Sequence, residues 1–442
     1  MTRLGAINSL LVIGLFVASA QAENWPQFRG PRGDGITDAK NVPLHWSTTE
    51  NVAWKTAIPG KGWSSPVMSG DSIWVTTALV NYLSEEEKNE RLKDASDFAR
   101  SQSNLASSVE LKAVQVDYNT GEVLRTVDLF HVDDPLTVHL TNSYASPTPV
   151  VEGKFLYCYF GTYGACCVDT ESGEVVWRNE DNDLEYNVGP GSSPVLVDDL
   201  LVLTCDGVFE QYITAVNKTT GKTVWKTPRP PFRATDGDQR KAYATPLVID
   251  VAGKKQLVIP GAQWVCAYEP ETGKEIWRAD HGSGFSNVPR PIHHDGTVYI
   301  CTGFMRPQLM AVRTDGQGDV SDSHVDWTFS RQVPTTPSPI FVDGKIYMVS
   351  DRGVATCVDP TTGQDVWTSR LGGNYAASPT YADGRIYFCS ESGMTTVIKP
   401  GDKYEVLAEN DLGERIMASP IFLDGNLVIR TSEHLFRITE AK

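Results

Sequence analysis

The stretch Ser338 to Thr368, SPIFVDGKIYMVSDRGVATCVDPTTGQDVWT, sets the pattern for the rest of the chain. SPIFV runs into Asp343-Gly344, KIYMVS follows, Asp351-Arg352-Gly353 turns into VATCV, and DPTTG leads into QDVWT. Asp-Gly between alternating apolar runs marks a tight hairpin, because the turn needs positive φ that Gly supplies without strain. The stretch therefore reads as four short antiparallel strands.

Working outward, the Ser/Thr-Pro or Arg-Pro before the first strand recurs in eight places: Pro66, Pro147 to Pro149, Pro194, Pro246, Pro291, Pro339, Pro379 and Pro420. Four strands per unit at a period of about 40 to 50 residues is the mark of a β-propeller rather than of separate domains. The expected fold class is all-β, an eight-bladed propeller of four-stranded antiparallel blades. A turn glycine with Trp four residues on marks the fourth strand at Trp177, Trp225, Trp277 and Trp367, and Trp327 follows a longer acidic turn from Asp315. A periodic Trp in a strand is expected to pack between blades.

The sixth member of this set is Trp54, in NVAWKTAI, which precedes the first unit. The last unit, ASPIFLDGNLVIRTSEHLFRI, stops after three strands. The N-terminal strand is therefore expected to complete the eighth blade, closing the ring and removing an open edge. Blade one carries Arg125 and blade seven Glu405 to Ala408 where the Trp belongs, so these joints are expected to be softer.

Before the repeat come residues 1–22, with Arg3, the apolar run Ile7 to Val17 and Ala20-Gln21-Ala22. They read as a cleavable secretory signal without a lipid-anchoring Cys. No run is long enough for a membrane span. Residues 23–47, beginning ENWPQFRGPRGDG, read as an arm pinned by Trp25 and Phe28, and 48–442 as the propeller. About 79–108 reads as a helical insertion, with Ser84 and Glu87 as a capping box and Leu92, Ala95, Phe98 and Ala99 on one face. The expected location is periplasmic or secreted, as a monomer.

Net charge is −16 in 442 residues, which argues against nucleic acid as a partner. Cys158, Cys301 and Cys389 each fall five residues after a turn glycine, in the register of Val349, and read as small buried hydrophobes. Cys205, Cys266 and Cys357 also fall in strands. Only Cys166-Cys167, in GACCVDTESG, invites a chemical role.

Candidate binding residues lie in the loops that approach each inner strand, around one mouth of the channel. Trp63, Tyr144 and Tyr243 share a register, three residues before Pro66, Pro147 and Pro246, and Tyr375 precedes Pro379. Arg240, Arg290 and Arg370 are named with them, and Lys61, Arg233 and Arg415 lie nearby. Aromatics alternating with arginines at a concave mouth suit an anionic or planar ligand. Asp133, Asp134, Asp181 to Glu185, Asp236 and Asp238 follow no calcium-loop spacing and read as solvated turns. His131, His139, His281, His293 and His294 show no metal spacing.

Repeats of the form SP…DG…Y…G…D…TG…W resemble the pyrroloquinoline-quinone-type propellers, which include quinoprotein alcohol dehydrogenases and the outer-membrane assembly lipoprotein family. The arm WPQFRGPRGDG and NVAWKTAIPGKGWSSPV are similar to secreted planctomycete members. The resemblance implies a propeller over nearly all of residues 24–442. For a dehydrogenase it would further imply the quinone and Ca²⁺ over the channel, an Asp base and a vicinal disulfide. Cys166-Cys167, however, sits in a strand, where successive residues point to opposite faces. The sequence assigns no carboxylate to the base role and names no metal site. The expected function is a non-catalytic propeller that binds an unidentified protein or small-molecule ligand. The alternative is a pyrroloquinoline quinone-dependent dehydrogenase of alcohols or sugars.

Overall fold

The computed structural model describes residues 24–181, 184–423 and 425–440, so the segment read as a secretory signal lies outside the described residues. Its sheets form eight four-stranded antiparallel blades in a ring. Blades 1 to 7 span 67–133, 150–179, 195–228, 247–280, 292–329, 340–370 and 380–411. Blade 8 takes three strands from 421–438 and its outer strand from Val52–Ala57, which pairs antiparallel with His434–Ile438. The expected closure forms. A fifth short strand, Gly318–Asp319, runs parallel to the outer strand of blade 4.

Blade 6 shows how sequence becomes sheet. Asp343 and Gly344 adopt φ of 48° and 75°, the doubly positive pair that the tight hairpin requires. KIYMV and VATCV are buried almost throughout, because neighbouring blades cover both faces, and they read as continuous apolar runs. DVWTSR alternates half-buried and exposed residues at the rim. In blades 1, 2, 3 and 6 the turn between third and fourth strand is tied by its leading side chain, Asp117, Asp169, Asn217 or Asp359: Asp359 Oδ1 accepts from the N–H groups of Thr361 (2.8 Å) and Thr362 (3.0 Å).

The residue before each lead-in proline does a further job. Proline pushes it into extended geometry, so its N–H points sideways toward the next blade. Ser65 N donates to Thr148 Oγ1 (2.9 Å), Thr148 N to Ser193 Oγ (2.9 Å) and Ser193 N to Thr245 Oγ1 (3.0 Å). On the other side, Arg290 N donates to Ser338 Oγ, Ser338 N to Ser378 Oγ and Ser378 N to Ser419 Oγ, each at 2.9 Å. Ser419 N donates back to Ser65 Oγ at 3.1 Å. This buried girdle is interrupted only between Thr245 and Arg290, where Arg has no hydroxyl to accept.

The tryptophans form a second, outer latch. The indole N–H of Trp54 donates to Tyr118 O, Trp177 to Lys218 O, Trp225 to Pro270 O, Trp327 to Pro360 O and Trp367 to Gly401 O, all in the following blade. In all but Trp367 the ring lies on that blade's turn glycine, so closely that a Cβ at Gly221 would stand 2.6 Å from Trp177 and one at Gly363 2.4 Å from Trp327. Trp277 differs: it is fully buried and donates to Gln256 Oε1 of its own blade. The two joints without Trp are not bare. Arg125 reaches Glu171 O at 3.0 Å, and the arm covers joint 7–8, where Trp46 N donates to Asn410 Oδ1 and its ring stacks on Tyr387.

The arm plugs the channel. Trp25 exchanges two backbone hydrogen bonds with Met68 of blade 1, Pro26 O accepts from Val151 of blade 2, and Gly35 and Thr37 pair with Tyr381 of blade 7. Phe28 contributes its carbonyl, to Arg290. The insertion in blade 1 has the capping box on Ser84 and Glu87, but its helices are short, Glu85–Arg91 and Asp97–Gln102. The flanking strands run through Tyr82 and resume at Ala106, so the helical part is narrower than 79–108.

Ser378→Ala should leave the buried Ser338 N–H without an acceptor and cost about 1–3 kcal/mol, while Ser378→Thr should retain most of the stability. Chemical denaturation of both variants checks this, and equal losses would exclude the girdle. Trp277→Ala should cost about 3–5 kcal/mol and the half-buried Trp225→Ala about 2–3 kcal/mol. A melting comparison that reverses this order would contradict the burial.

Candidate functional site

First strands begin, and second strands end, at the same face of the ring, so the lead-in loops and the loops between second and third strands together make the mouth. The tyrosines named from sequence do not stand open there. Tyr144 is buried and donates to Leu136 O at 2.8 Å; Tyr243 is buried against Tyr186 with ring centroids 5.2 Å apart; Tyr375 is buried in the joint between blades 6 and 7. Their register puts them between blades, where apolar burial outcompetes exposure. Arg290 is buried in the channel against the arm. Arg240 caps its own loop through Ala234 O, and Arg370 is exposed at the end of an outer strand.

Trp63 is different. It is half-buried at the joint of blades 8 and 1, held by N–H bonds to Ala145 O and Thr141 O, each 3.1 Å. Lys61 Nζ lies 5.5 Å from the centre of its ring and the Arg415 guanidinium 5.7 Å away. Beneath them Arg430, which sequence reading missed, donates from Nη1 to Ser64 O, Ser64 Oγ and Thr76 O. Its only signal was an Arg in a second strand whose counterparts are apolar or Cys. Arg415 pairs with Glu391, and Glu414 is taken up by Lys55 and His434. Among the described residues, no carboxylate pairs with Lys61 or Arg430. Burial and then Arg415 pull the Lys61 pKa down, and burial alone pulls Arg430 to about 9. The result is a cationic ledge with an aromatic face in a chain of net charge −16.

Across the mouth, a cavity of about 560 Å³ opens between blades 5 and 6, lined by Phe304, Met305, Pro307, Val333, Thr335 and Arg352 among others. Phe304 and Met305 are 54% and 68% exposed. Asp351 in its wall is committed to Thr335 N and Oγ1.

The residues do not fit a calcium-bound quinone. Calcium needs six or more converging oxygens, and among the described residues no group of three or more His, Cys, Asp or Glu converges to hold a metal. Asp133 faces His131, Asp134 pairs with Arg91, Asp236 caps the turn at Asp238, and Asp238 pairs with Lys241. Asp183 lies outside the described residues. His281 is buried on Gly261 O, His139 contacts Thr141, and His294 stacks on Phe341, with His293 its chain neighbour. Asp206 is locked in a buried fork with Arg229 (2.7 to 3.2 Å); burial raises its carboxyl pKa and Arg229 opposes the shift. All eight cysteines are buried thiols outside any disulfide. Cys166 belongs to the core between blades 1 and 2 and Cys167 to that between blades 2 and 3, with burial pushing the Cys167 thiol up to about 12.

Arg229→Met should cost about 3–5 kcal/mol by leaving the Asp206 charge buried alone, and adding Asp206→Leu should recover most of it. Denaturation of the single and double variants measures both, and an unchanged single variant would mean the fork is open to water.

A family model described as outer membrane protein assembly factor BamB matches residues 99–240 and 209–441. Among solved structures, a quinohemoprotein alcohol dehydrogenase from Comamonas testosteroni superposes with a TM-score of 0.65 at 12% identity, covering 98% of this chain and 83% of that one. BamB from Moraxella catarrhalis superposes at 0.52 with 11% identity, covering 76% of this chain and 94% of its own. The computationally designed Ika8 protein gives 0.55 at 10% identity, over 87% and 98%. These likenesses are of fold. A search of curated proteins finds no match.

Proposed function

Because the chain belongs to the family described as outer membrane protein assembly factor BamB, we propose that it is an exported, non-catalytic propeller that captures an anionic ligand, or an acidic segment of a protein partner, at its mouth. The observation that carries this reading is the ledge of Lys61, Trp63, Arg415 and Arg430. Two of its cations, the half-buried Lys61 and the buried Arg430, have no acidic partner among the described residues, although acidic residues outnumber basic ones 55 to 39 in the chain. Partly buried cations bind anions more strongly than exposed ones, since the surrounding dielectric is lower and the groups are already desolvated. Trp63 adds a flat apolar face for the body of the ligand. Asp206, Asp236, Asp238, Asp351, Glu391 and Glu414 are each committed to an ion pair or a loop hydrogen bond, which favours binding over turnover.

Export rests on the segment 1–22 and on the outer-membrane role in the family's description. Capture of a protein partner fits that role, and the apolar Phe304 and Met305 across the mouth would extend the contact.

The test uses free pyrroloquinoline quinone as a planar polycarboxylate probe and an oligoglutamate peptide as a flexible one, each titrated calorimetrically without calcium. Trp63→Ala and Lys61→Ala should each weaken binding of at least one probe about tenfold, with melting unchanged and affinity falling as salt rises. In parallel, protein supplied with quinone, Ca²⁺ and a panel of alcohols and sugars should reduce no redox dye. Sustained quinone-dependent dye reduction would establish the dehydrogenase reading instead, and loss of neither probe's binding in the two variants would remove the ledge from consideration.

A further inference from the structure

The channel holds two buried guanidinium groups that no carboxylate of the described residues pairs with. Arg29 comes from the arm and Arg290 from the one lead-in that lacks a hydroxyl; each is 2% exposed. Arg29 donates from Nη2 to Asp34 O (2.5 Å) and Pro339 O (2.8 Å), and from Nη1 to Pro379 O at a long 3.4 Å. Arg290 donates from Nε to Pro246 O (3.1 Å) and from Nη1 to Phe28 O (2.6 Å). All these acceptors are neutral carbonyls.

No carboxylate of the described residues lies within ion-pair distance of either group. The Asp34 carboxylate is turned to Arg32 Nε (2.9 Å) and to the N–H of Ile36. Arg29 Nε is buried with no hydrogen-bond partner at all. Two guanidiniums carry about ten N–H donors between them, and the five bonds above use half. The arm glycines permit this packing, since a Cβ at Gly33 would stand 2.5 Å from Arg290 Nη1 and one at Gly35 2.8 Å from Arg29 Nη2. A buried charge without a counter-charge costs several kcal/mol, and here two of like sign share one channel. Consistent with that, burial first and mutual repulsion second pull the Arg290 pKa down to about 9.

We propose that a small anion, of halide or phosphate size, is bound inside the channel between Arg29 and Arg290 and pins the arm into the propeller. The site is separate from the mouth ledge, which lies at the joint of blades 8 and 1. Carbonyl oxygens already satisfy part of each fork, so the anion takes the unspent donors, Arg29 Nε among them. It supplies the negative charge that the chain itself does not place there. Because the unfolded chain has no such site, the anion acts as a ligand of the folded state alone, and melting must follow its concentration.

The experiment is thermal unfolding of the purified protein at fixed ionic strength, with gluconate replaced stepwise by chloride in one series and by phosphate in another. Melting should rise by about 3 °C or more in at least one series, and the series that responds distinguishes the size of the anion. Arg290→Gln should abolish that response. A parent protein indifferent to both anions, or a variant that responds as the parent does, would overturn the proposal. If the variant does not fold, crystals of the parent decide, grown in bromide where the chloride series responds or in arsenate where the phosphate series does: an anomalous peak between the two guanidiniums supports the site, and its absence refutes it.

Discussion

The girdle of lead-in hydroxyls is the constraint on which the rest of the ring depends. A propeller is a set of sheets that touch only their neighbours, and its inner strands sit where the blades crowd closest. There the N–H of the residue before each lead-in proline, just ahead of the first strand, has no partner within its own sheet. The Ser or Thr of the next blade supplies one, and proline after it holds the backbone so that the N–H faces sideways. A single residue type thus fixes the spacing between blades and satisfies a buried donor. That double duty explains why Ser-Pro, Thr-Pro and their one arginine variant recur when little else in the repeat is constant.

The tryptophan latch works at the opposite radius. Blades splay outward, so the gap widens toward the rim and needs a large side chain to fill it. Trp spans the gap, and its indole N–H finds a carbonyl in the next turn, which lets a half-buried ring be specific as well as adhesive. Where Trp is missing, a longer cation or the arm takes its place. Arg125 uses the same turn carbonyls, while at joint 7–8 the arm segment just ahead of blade 8's outer strand holds blade 7, through Trp46 N to Asn410 and Asn410 Nδ2 to Leu44 O.

Charge is distributed against the overall balance. Most acidic residues sit on turns, as N–H acceptors or exposed partners of Lys and Arg, and each is individually cheap. Among the described residues, the buried cations without an acidic partner, Arg29, Arg290 and Arg430, sit on the axis and at one joint of the mouth. Arginine suits both places, because it stays ionised when buried and its planar fork can bond several carbonyls at once. The girdle's interruption at Arg290 and the plugged channel are therefore one feature: the position that gives up a hydroxyl gains a guanidinium long enough to hold the arm.

The sequence by itself determined the number of blades, their four-strand make-up and the closure through Trp54, because each rests on local signals: Asp-Gly turns, Pro-marked lead-ins and a Trp at a fixed offset. It also named Trp63, Lys61 and Arg415 among the residues of the mouth loops, but only the structure brings these three together. What it did not determine was which aromatic residues face solvent. Tyr144, Tyr243 and Tyr375 share the lead-in pattern with Trp63, yet interblade packing buries them, and burial of a ring depends on the neighbouring blade rather than on its own loop. Arg430 and the pairing of Arg29 with Arg290 were likewise out of reach. Those residues are separated in the chain by hundreds of positions from the groups they meet, and only closing the ring and threading the arm through it sets them side by side.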